Sequence, residues 1–110
     1  MWIDDSNYKE YLKGISIVEV SGESCANCLT LMPILDRLVS NRKDCNLYHI
    51  EVSEKSRSFI DKYDIRQVPT IMILNDQELY VSCRGYQPEE ILEIWLDKKI
   101  EELKNIRNKA

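Results

Sequence analysis

Two cysteines separated by two residues, Cys25 and Cys28, have the spacing with which a chain can exchange disulfides. A β-branched run ends shortly before them and an amphipathic pattern begins at Cys28, so the pair stands where a strand passes into a helix. At a helix N-terminus, unpaired N–H groups and the helix dipole favour a thiolate and can lower a thiol pKa from about 8.5 to between roughly 3.5 and 7.5. Cys25 is therefore predicted to be the nucleophile. Cys28, one turn on and more shielded, is predicted to be the resolving thiol.

Zinc binding is a second interpretation of the same Cys-x-x-Cys spacing. Cys45 together with Cys83 or His49 could complete four ligands. The rest of the chain has neither a second Cys-x-x-Cys nor a Cys/His pair at zinc-finger spacing, which favours redox chemistry over a metal site. A third interpretation, two buried cysteines without chemistry, also stays open. Cys45 and Cys83 themselves are most simply structural thiols, buried or half-exposed.

Glu19 is an unusual residue for its position. It shares a strand face with Ile15 and Ile17, and parallel strands covered by helices on both sides rarely expose a side chain. We therefore expect Glu19 to be buried, the alternative being a solvated glutamate near the strand end. A buried carboxyl can exchange protons near neutral pH.

Four strands and four helices are predicted to position these side chains, in the order α, β, α, β, α, β, β, α. The predicted helices are a capped segment from residues 4–6 to Lys13, Cys28 to about Arg42, Glu54 to Tyr63, and a final helix from Pro88. The predicted strands span residues 15–20, 46–52, 70–74 and 79–82, and the polar connection 75–78 is typical of an antiparallel hairpin. Two strand–helix–strand units predict parallel neighbours covered by helices on both faces, and the hairpin adds an antiparallel edge.

Composition limits the class of protein. The chain has 110 residues, 44% hydrophobic and 31% charged, with no repeat or linker-like stretch, so a single domain over residues 1–110 is expected. A net charge of −4 argues against nucleic acid or a membrane surface as a partner. The longest apolar run has four residues, against the ~20 needed to cross a bilayer. Four cysteines and an N-terminus without a signal-peptide pattern predict a reducing cytoplasm.

Three separate motifs together resemble the thioredoxin family over nearly the whole chain. They are the Cys-x-x-Cys pair, Pro33 five residues after its second cysteine, and Val68-Pro69-Thr70 before the third strand. The resemblance implies an α/β thioredoxin fold, with a central mixed four-stranded sheet flanked by helices on both faces and at most a short fifth strand at the N-terminus. It also implies that Pro69 is cis and lies against the disulfide, and that Val68 offers its backbone to a bound substrate strand.

The same resemblance implies a thiol–disulfide oxidoreductase that reduces protein disulfides and requires no cofactor. Its expected partners are disulfide-containing proteins and a reductase or low-molecular thiol that restores the dithiol, and the protein is expected to be a monomer. Substrate binding is expected along loop residues gathered around Cys25. They are Ser24, Ala26, Asn27, Gln67, Val68, Pro69, Arg84, Gly85 and Tyr86.

Glu19 stands six residues before the first cysteine, where thioredoxins usually have a buried aspartate. We hypothesise that Glu19 accepts the proton of Cys28 through water during resolution. His49 aligns near the lysine that partners this acid in many members of the family. A contact between His49 and Glu19 is conceivable, but a lone histidine on a strand is more often a surface or packing residue, and we do not predict the contact.

Two places depart from the family pattern. Ser21 and Ser24 stand where the family has aromatic residues beside the first cysteine, so the groove at the disulfide is expected to be barer. Ala26 and Asn27 replace Gly-Pro between the cysteines, which leaves the redox potential open over a span of about −270 to −120 mV. Two other functions therefore stay open: a thioredoxin-like adaptor with little turnover, which the missing aromatic residues favour, and a disulfide isomerase or oxidase.

Overall fold

The computed structural model describes residues 1–109, with Ala110 outside the described residues, and its elements follow the predicted order. The strands are β1 (Ile15–Ser21), β2 (Asn46–Glu51), β3 (Thr70–Asn75) and β4 (Glu78–Arg84). The helices are α1 (Tyr8–Tyr11), α2 (Ala26–Ser40), α3 (Arg57–Lys62) and α4 (Glu89–Lys109), and a 3₁₀ turn, Glu54–Ser56, precedes α3. The predicted mixed sheet of four strands is confirmed, in the order β2-β1-β3-β4.

Only one of the two predicted parallel pairs is present. β1 is parallel to β2, but β3 pairs antiparallel with β1 and does not neighbour β2. The register places Ser21 beside Glu51 and Val20 beside Thr70. The first residue of β3 therefore lies at the same end of the strands as the last residue of β2. α3 has only six residues, and the loop after it brings the chain back to this end of the strands. The loops that carry the cysteines and Pro69 therefore meet at one end of the sheet, beyond the last residue of β1.

Each face of the sheet is covered by its own hydrophobic cluster. In β3, Ile71 and Ile73 pack with residues of α2 and α4, whereas Met72 and Leu74 pack with Tyr8, Phe59 and their neighbours on the opposite face. This alternation follows from the two-residue repeat of a strand. All seven residues of β1 are buried because it is paired on both edges and covered on both faces. The expected placement of helices on both sides is confirmed.

The N-terminal segment differs from its prediction. The first helix is a single turn, Tyr8–Tyr11, and its N-cap is Asn7 rather than one of the predicted residues 4–6. The Asp5 carboxylate instead accepts hydrogen bonds from the backbone N–H groups of Ser58 and Phe59, both at 2.9 Å, and so binds the start of α3. The short fifth strand is reduced to one isolated parallel bridge between Trp2 and His49. This bridge holds the N-terminus along the outer edge of β2.

The hairpin between β3 and β4 is tighter than predicted. Its turn contains two residues, Asp76 and Gln77, with φ of 49° and 74°, and Asn75 pairs with Glu78. Two central residues with positive φ give a turn whose twist matches that of the strands. The Asp76 carboxylate accepts a hydrogen bond from the Gly14 N–H at 2.6 Å.

Within residues 1–109, every helix is too short or too polar to span a bilayer.

Candidate active site

Cys25 and Cys28 form a disulfide at the start of α2. Their Cα atoms lie 5.3 Å apart, in the ordinary range for disulfides. Cys25 caps the helix, and its sulfur accepts a hydrogen bond from the Cys28 backbone N–H at 3.2 Å. Cys25 is partly exposed, whereas Cys28 is only 1% exposed. The pair therefore presents one sulfur to a partner and shields the other.

A cleft of about 280 Å³ opens beside the disulfide. Its walls come from the loop after β1, the first turns of α2, the end of β2 and the N-terminal segment. The lining residues that are discussed below are Trp2, Ser21, Ser24, Glu51 and both cysteines. The loop after β1 and the N-terminal segment therefore both lie beside the two cysteines.

Trp2 supplies an aromatic wall to this cleft. Its side chain is 53% exposed, and its ring packs against that of His49 with 5.4 Å between the ring centroids. The Met1 carbonyl accepts from the His49 N–H, and the Ile3 N–H donates to the His49 carbonyl, both at 2.8 Å, which fixes the segment. The prediction of a barer groove is therefore wrong in part, because an aromatic side chain comes from elsewhere in the chain.

Trp2 is expected to report the redox state of the site. A disulfide quenches tryptophan emission at short range, so reduction should raise the emission of Trp2, which lines the cleft. Trp2→Phe should remove most of the redox-dependent change in fluorescence. Trp95→Phe is the matched control, since Trp95 packs against the core that contains α4. A change that disappears with Trp95 and persists without Trp2 would contradict this placement.

Glu19 is completely buried, as predicted, and both of its carboxyl oxygens are hydrogen-bonded. Oε2 accepts a hydrogen bond from the Ser21 hydroxyl at 2.6 Å, and Oε1 lies 2.9 Å from Nδ1 of His49. The two residues are direct neighbours in the parallel register of β1 and β2. The interpretation of Glu19 as a solvated glutamate is therefore wrong, and so is that of His49 as a surface or packing residue without this contact.

His49 has a second carboxylate on its other side. Its Nε2 lies 3.3 Å from Oδ1 of Asp36 on α2. His49 is 6% exposed, whereas the Asp36 side chain is 62% exposed. Ser21, Glu19, His49 and Asp36 thus form a continuous hydrogen-bonded row that begins at the cleft and ends at solvent, which we call the carboxylate–histidine row.

The Val68–Pro69 peptide bond is cis, as the family resemblance implied. Pro69 is buried, and its carbonyl accepts a hydrogen bond from the Gly85 N–H at 2.8 Å. Gly22 brings the loop after β1 against Val68: a Cβ atom on Gly22 would lie 2.9 Å from Cγ2 of Val68, closer than such contacts come in proteins. The loops around residues 22, 69 and 85 are therefore held together.

The structure brings some of the predicted binding residues together and leaves others apart. Ser24 lines the cleft at the disulfide, while Gln67 and Val68 line a neighbouring groove of about 280 Å³ that shares Gly22 and Glu23 with the cleft. Arg84 lines a different depression beside β3. Apart from Pro69 and Gly85, which are described above, the rest of this set have exposed side chains: Ala26 and Asn27 between the cysteines, and Tyr86 after β4.

Cys45 and Cys83 are free thiols, one buried and one partly buried, as expected of structural cysteines. Burial raises the pKa of the Cys45 thiol to about 11 and also raises that of Cys83. Neither thiol is therefore much ionised near neutral pH. Nowhere in residues 1–109 do three or more His, Cys, Asp or Glu side chains come together in a group that could hold a metal ion.

The family model described as Thioredoxin matches residues 1–98 of this chain. The chain belongs to the thioredoxin family. A thioredoxin of Staphylococcus haemolyticus is 27% identical over 100 residues, covering 89% of this chain and 95% of that protein. A thioredoxin of Bacillus subtilis is 26% identical over 98 residues, covering 88% and 93%. A mutant thioredoxin from Halobacterium salinarum shares the fold, with a TM-score of 0.78 at 18% identity over 91% of this chain and 89% of that one.

The family and the Cys25–Cys28 disulfide together establish the class of activity. This thioredoxin-family protein is a thiol–disulfide oxidoreductase with protein-disulfide reductase activity. The partners of the family are proteins with disulfides and a reductase.

Proposed function

We propose that Cys25 is the nucleophile and Cys28 the resolving thiol of this reductase. The observation that carries the assignment is the asymmetry of the pair, since Cys25 is partly exposed at the start of α2 whereas Cys28 is 1% exposed. The Cys25 thiolate attacks one sulfur of a partner disulfide, and the other partner sulfur leaves as a thiolate. Cys28 then attacks Cys25, which releases the second partner sulfur and leaves the Cys25–Cys28 disulfide. Two electrons pass to the partner.

We propose further that Glu19 accepts the proton that Cys28 loses in the resolving step. Glu19 is buried and bonded to Ser21, and Ser21 lines the same cleft as Cys28. This carboxylate is separated from bulk solvent and is connected to the cleft through the Ser21 hydroxyl. These contacts support a role as proton acceptor, with a water molecule or the Ser21 hydroxyl completing the path.

The substrate is proposed to bind along the predicted loop residues, with the Val68 backbone beside the mixed disulfide. The joined loops around Gly22, Pro69 and Gly85 support this, because they hold the groove next to the cysteines. We propose that residues 1–110 form one domain that works as a monomer in a reducing cytoplasm. A reductase or a low-molecular thiol would restore the dithiol, and these steps use no cofactor.

A redox titration tests the proposed function. The protein is equilibrated in dithiothreitol and glutathione buffers, quenched with an alkylating reagent, and the labelled cysteines are counted by peptide mass. A reversible two-electron transition at or below about −250 mV, confined to Cys25 and Cys28, is expected for a reductant. A transition at about −180 mV or above would indicate an isomerase or oxidant instead. The absence of reversible pairing would contradict the mechanism and favour the adaptor.

A further inference from the structure

The carboxylate–histidine row connects a buried acid to solvent. Glu19 is 0% exposed, so a proton that it accepts has no direct exit. His49 contacts Glu19 through Nδ1 at 2.9 Å and Asp36 through Nε2 at 3.3 Å. Asp36, whose side chain is 62% exposed, is also the only acidic residue of α2.

We propose that His49 releases a proton to solvent when Glu19 takes up that of Cys28, with Asp36 as the exposed end of the path. The inference rests on the proposed role of Glu19 and adds the outlet that this role requires. His49 would be a positioning residue, because it acts on the sulfur atoms only through Glu19.

Hydrogen-bond chemistry limits the forms that His49 can take. An ionised carboxylate only accepts hydrogen bonds, so when Glu19 and Asp36 are both ionised, both ring nitrogens must donate and the ring is an imidazolium. This cation pairs the buried charge of Glu19, which would otherwise be strongly unfavourable. The groups that face His49 are Glu19 from β1, Asp36 from α2 and the uncharged ring of Trp2 from the N-terminal segment.

In the resolving step, the Cys28 proton passes to Glu19 by way of the Ser21 hydroxyl or a water molecule in the cleft. The Cys28 sulfur bonds to that of Cys25, the bond between Cys25 and the partner breaks, and the partner leaves as a thiolate that water can protonate. Once Glu19 is neutral it pairs the imidazolium less strongly, and the Nε2 proton of His49 passes to Asp36 and on to water. One proton thus enters at Glu19 and a different one leaves at Asp36, while Nδ1 keeps its proton throughout. The starting form returns when the disulfide is reduced again: Cys28 takes its proton back from Glu19, and the ring regains a proton at Nε2 through Asp36.

Oxidation of the reduced protein by 5,5′-dithiobis(2-nitrobenzoate) in a stopped-flow instrument separates the two chemical steps. Attack by Cys25 releases one coloured thiolate at a rate that depends on reagent concentration, and resolution by Cys28 releases a second at a rate that does not. His49→Gln is expected to leave the first phase unchanged and to slow the second about tenfold at pH 7. The fall of the second-phase rate on the acid side of its pH profile should move to higher pH, because no cation then pairs the buried charge of Glu19.

Asp36→Asn provides an independent variant on the exposed surface. It should shift the acid limb in the same direction and slow the second phase about twofold to threefold at pH 7, because it weakens the imidazolium at an exposed site. Asp97→Asn is the matched control: its side chain is 60% exposed and pairs with Arg42. This control should leave both phases unchanged.

The possible outcomes distinguish the outlet from the underlying function. A second phase whose rate and pH profile are unchanged in Asp36→Asn and in His49→Gln would overturn the outlet while the proposed function stands. A wild-type protein that releases a single equivalent of thiolate would instead contradict the resolving role of Cys28. If His49→Gln does not fold, Asp36→Asn compared with Asp97→Asn decides the question.

Discussion

Cys25→Ser is expected to abolish reduction of a protein disulfide, and Cys28→Ser is expected to trap the partner. The serine hydroxyl does not ionise near neutral pH, so the first variant has no nucleophile at the helix start. The second variant keeps Cys25 but lacks the thiol that releases the partner, so one equivalent of mixed disulfide should accumulate. Intact-protein mass spectrometry after incubation with a disulfide substrate measures the adduct, and its loss with dithiothreitol identifies the bond.

The other two cysteines provide controls for this result. Cys45→Ser and Cys83→Ser should keep nearly full turnover, because burial raises the pKa of both thiols. A Cys28→Ser protein that turns over like wild type would show that an external thiol resolves the intermediate. An adduct located on Cys83 would contradict Cys25 as the nucleophile.

Glu19→Gln is expected to slow the resolving step by about 100-fold at pH 7 while the attack by Cys25 is unchanged. Glutamine keeps the size of the side chain and still accepts a hydrogen bond from Ser21, but it cannot take a proton. The rate of the variant should rise with pH, because the Cys28 thiol then ionises without the carboxylate, and should approach that of wild type only in alkaline medium. The second phase of thiolate release, recorded between acid and alkaline pH, measures this.

Glu51→Gln is the matched control for Glu19→Gln. Glu51 is an exposed carboxylate that lines the same cleft, so its removal changes the charge beside the cysteines equally without touching the buried row. We expect the second phase of this control to stay within about twofold of wild type. A Glu19→Gln protein that resolves at the wild-type rate at pH 7 would contradict the role of Glu19.

The features that sequence predicted correctly are carried by neighbouring residues. The Cys-x-x-Cys spacing places both thiols in one helical turn, and Glu19 was expected to be buried because it alternates with Ile15 and Ile17 on one strand. The cis peptide before Pro69 followed from the family motif, since proline alone gives only a small probability of a cis bond. These signals depend on no contact between distant segments.

The features that sequence missed depend on how distant segments meet. His49 faces Glu19 only because β2 lies beside β1 in one particular register, and a shift of one residue would turn His49 to the other face. Trp2 reaches the cleft through one bridge to β2, which no local pattern encodes. The antiparallel direction of β3 likewise depends on the path of the loop after α3. The signal in the sequence for the contact with Glu19 is the alignment of His49 near the lysine that partners the buried acid in the family.

The central position of β1 has a consequence for the motions of the site. Its amides are bonded on both edges and its side chains are all buried, so they should exchange hydrogen with solvent only when the whole protein unfolds. The outer edge of β2 is held by the single bridge of Trp2 and should open at a much lower free energy. Glu19 is thus carried by the strand that is expected to open last, whereas the backbone on either side of Trp2 is bonded to the sheet only through His49. Displacement of the Trp2 ring by a bulky partner would therefore uncover His49 but leave the backbone of β1, and with it Glu19, in place.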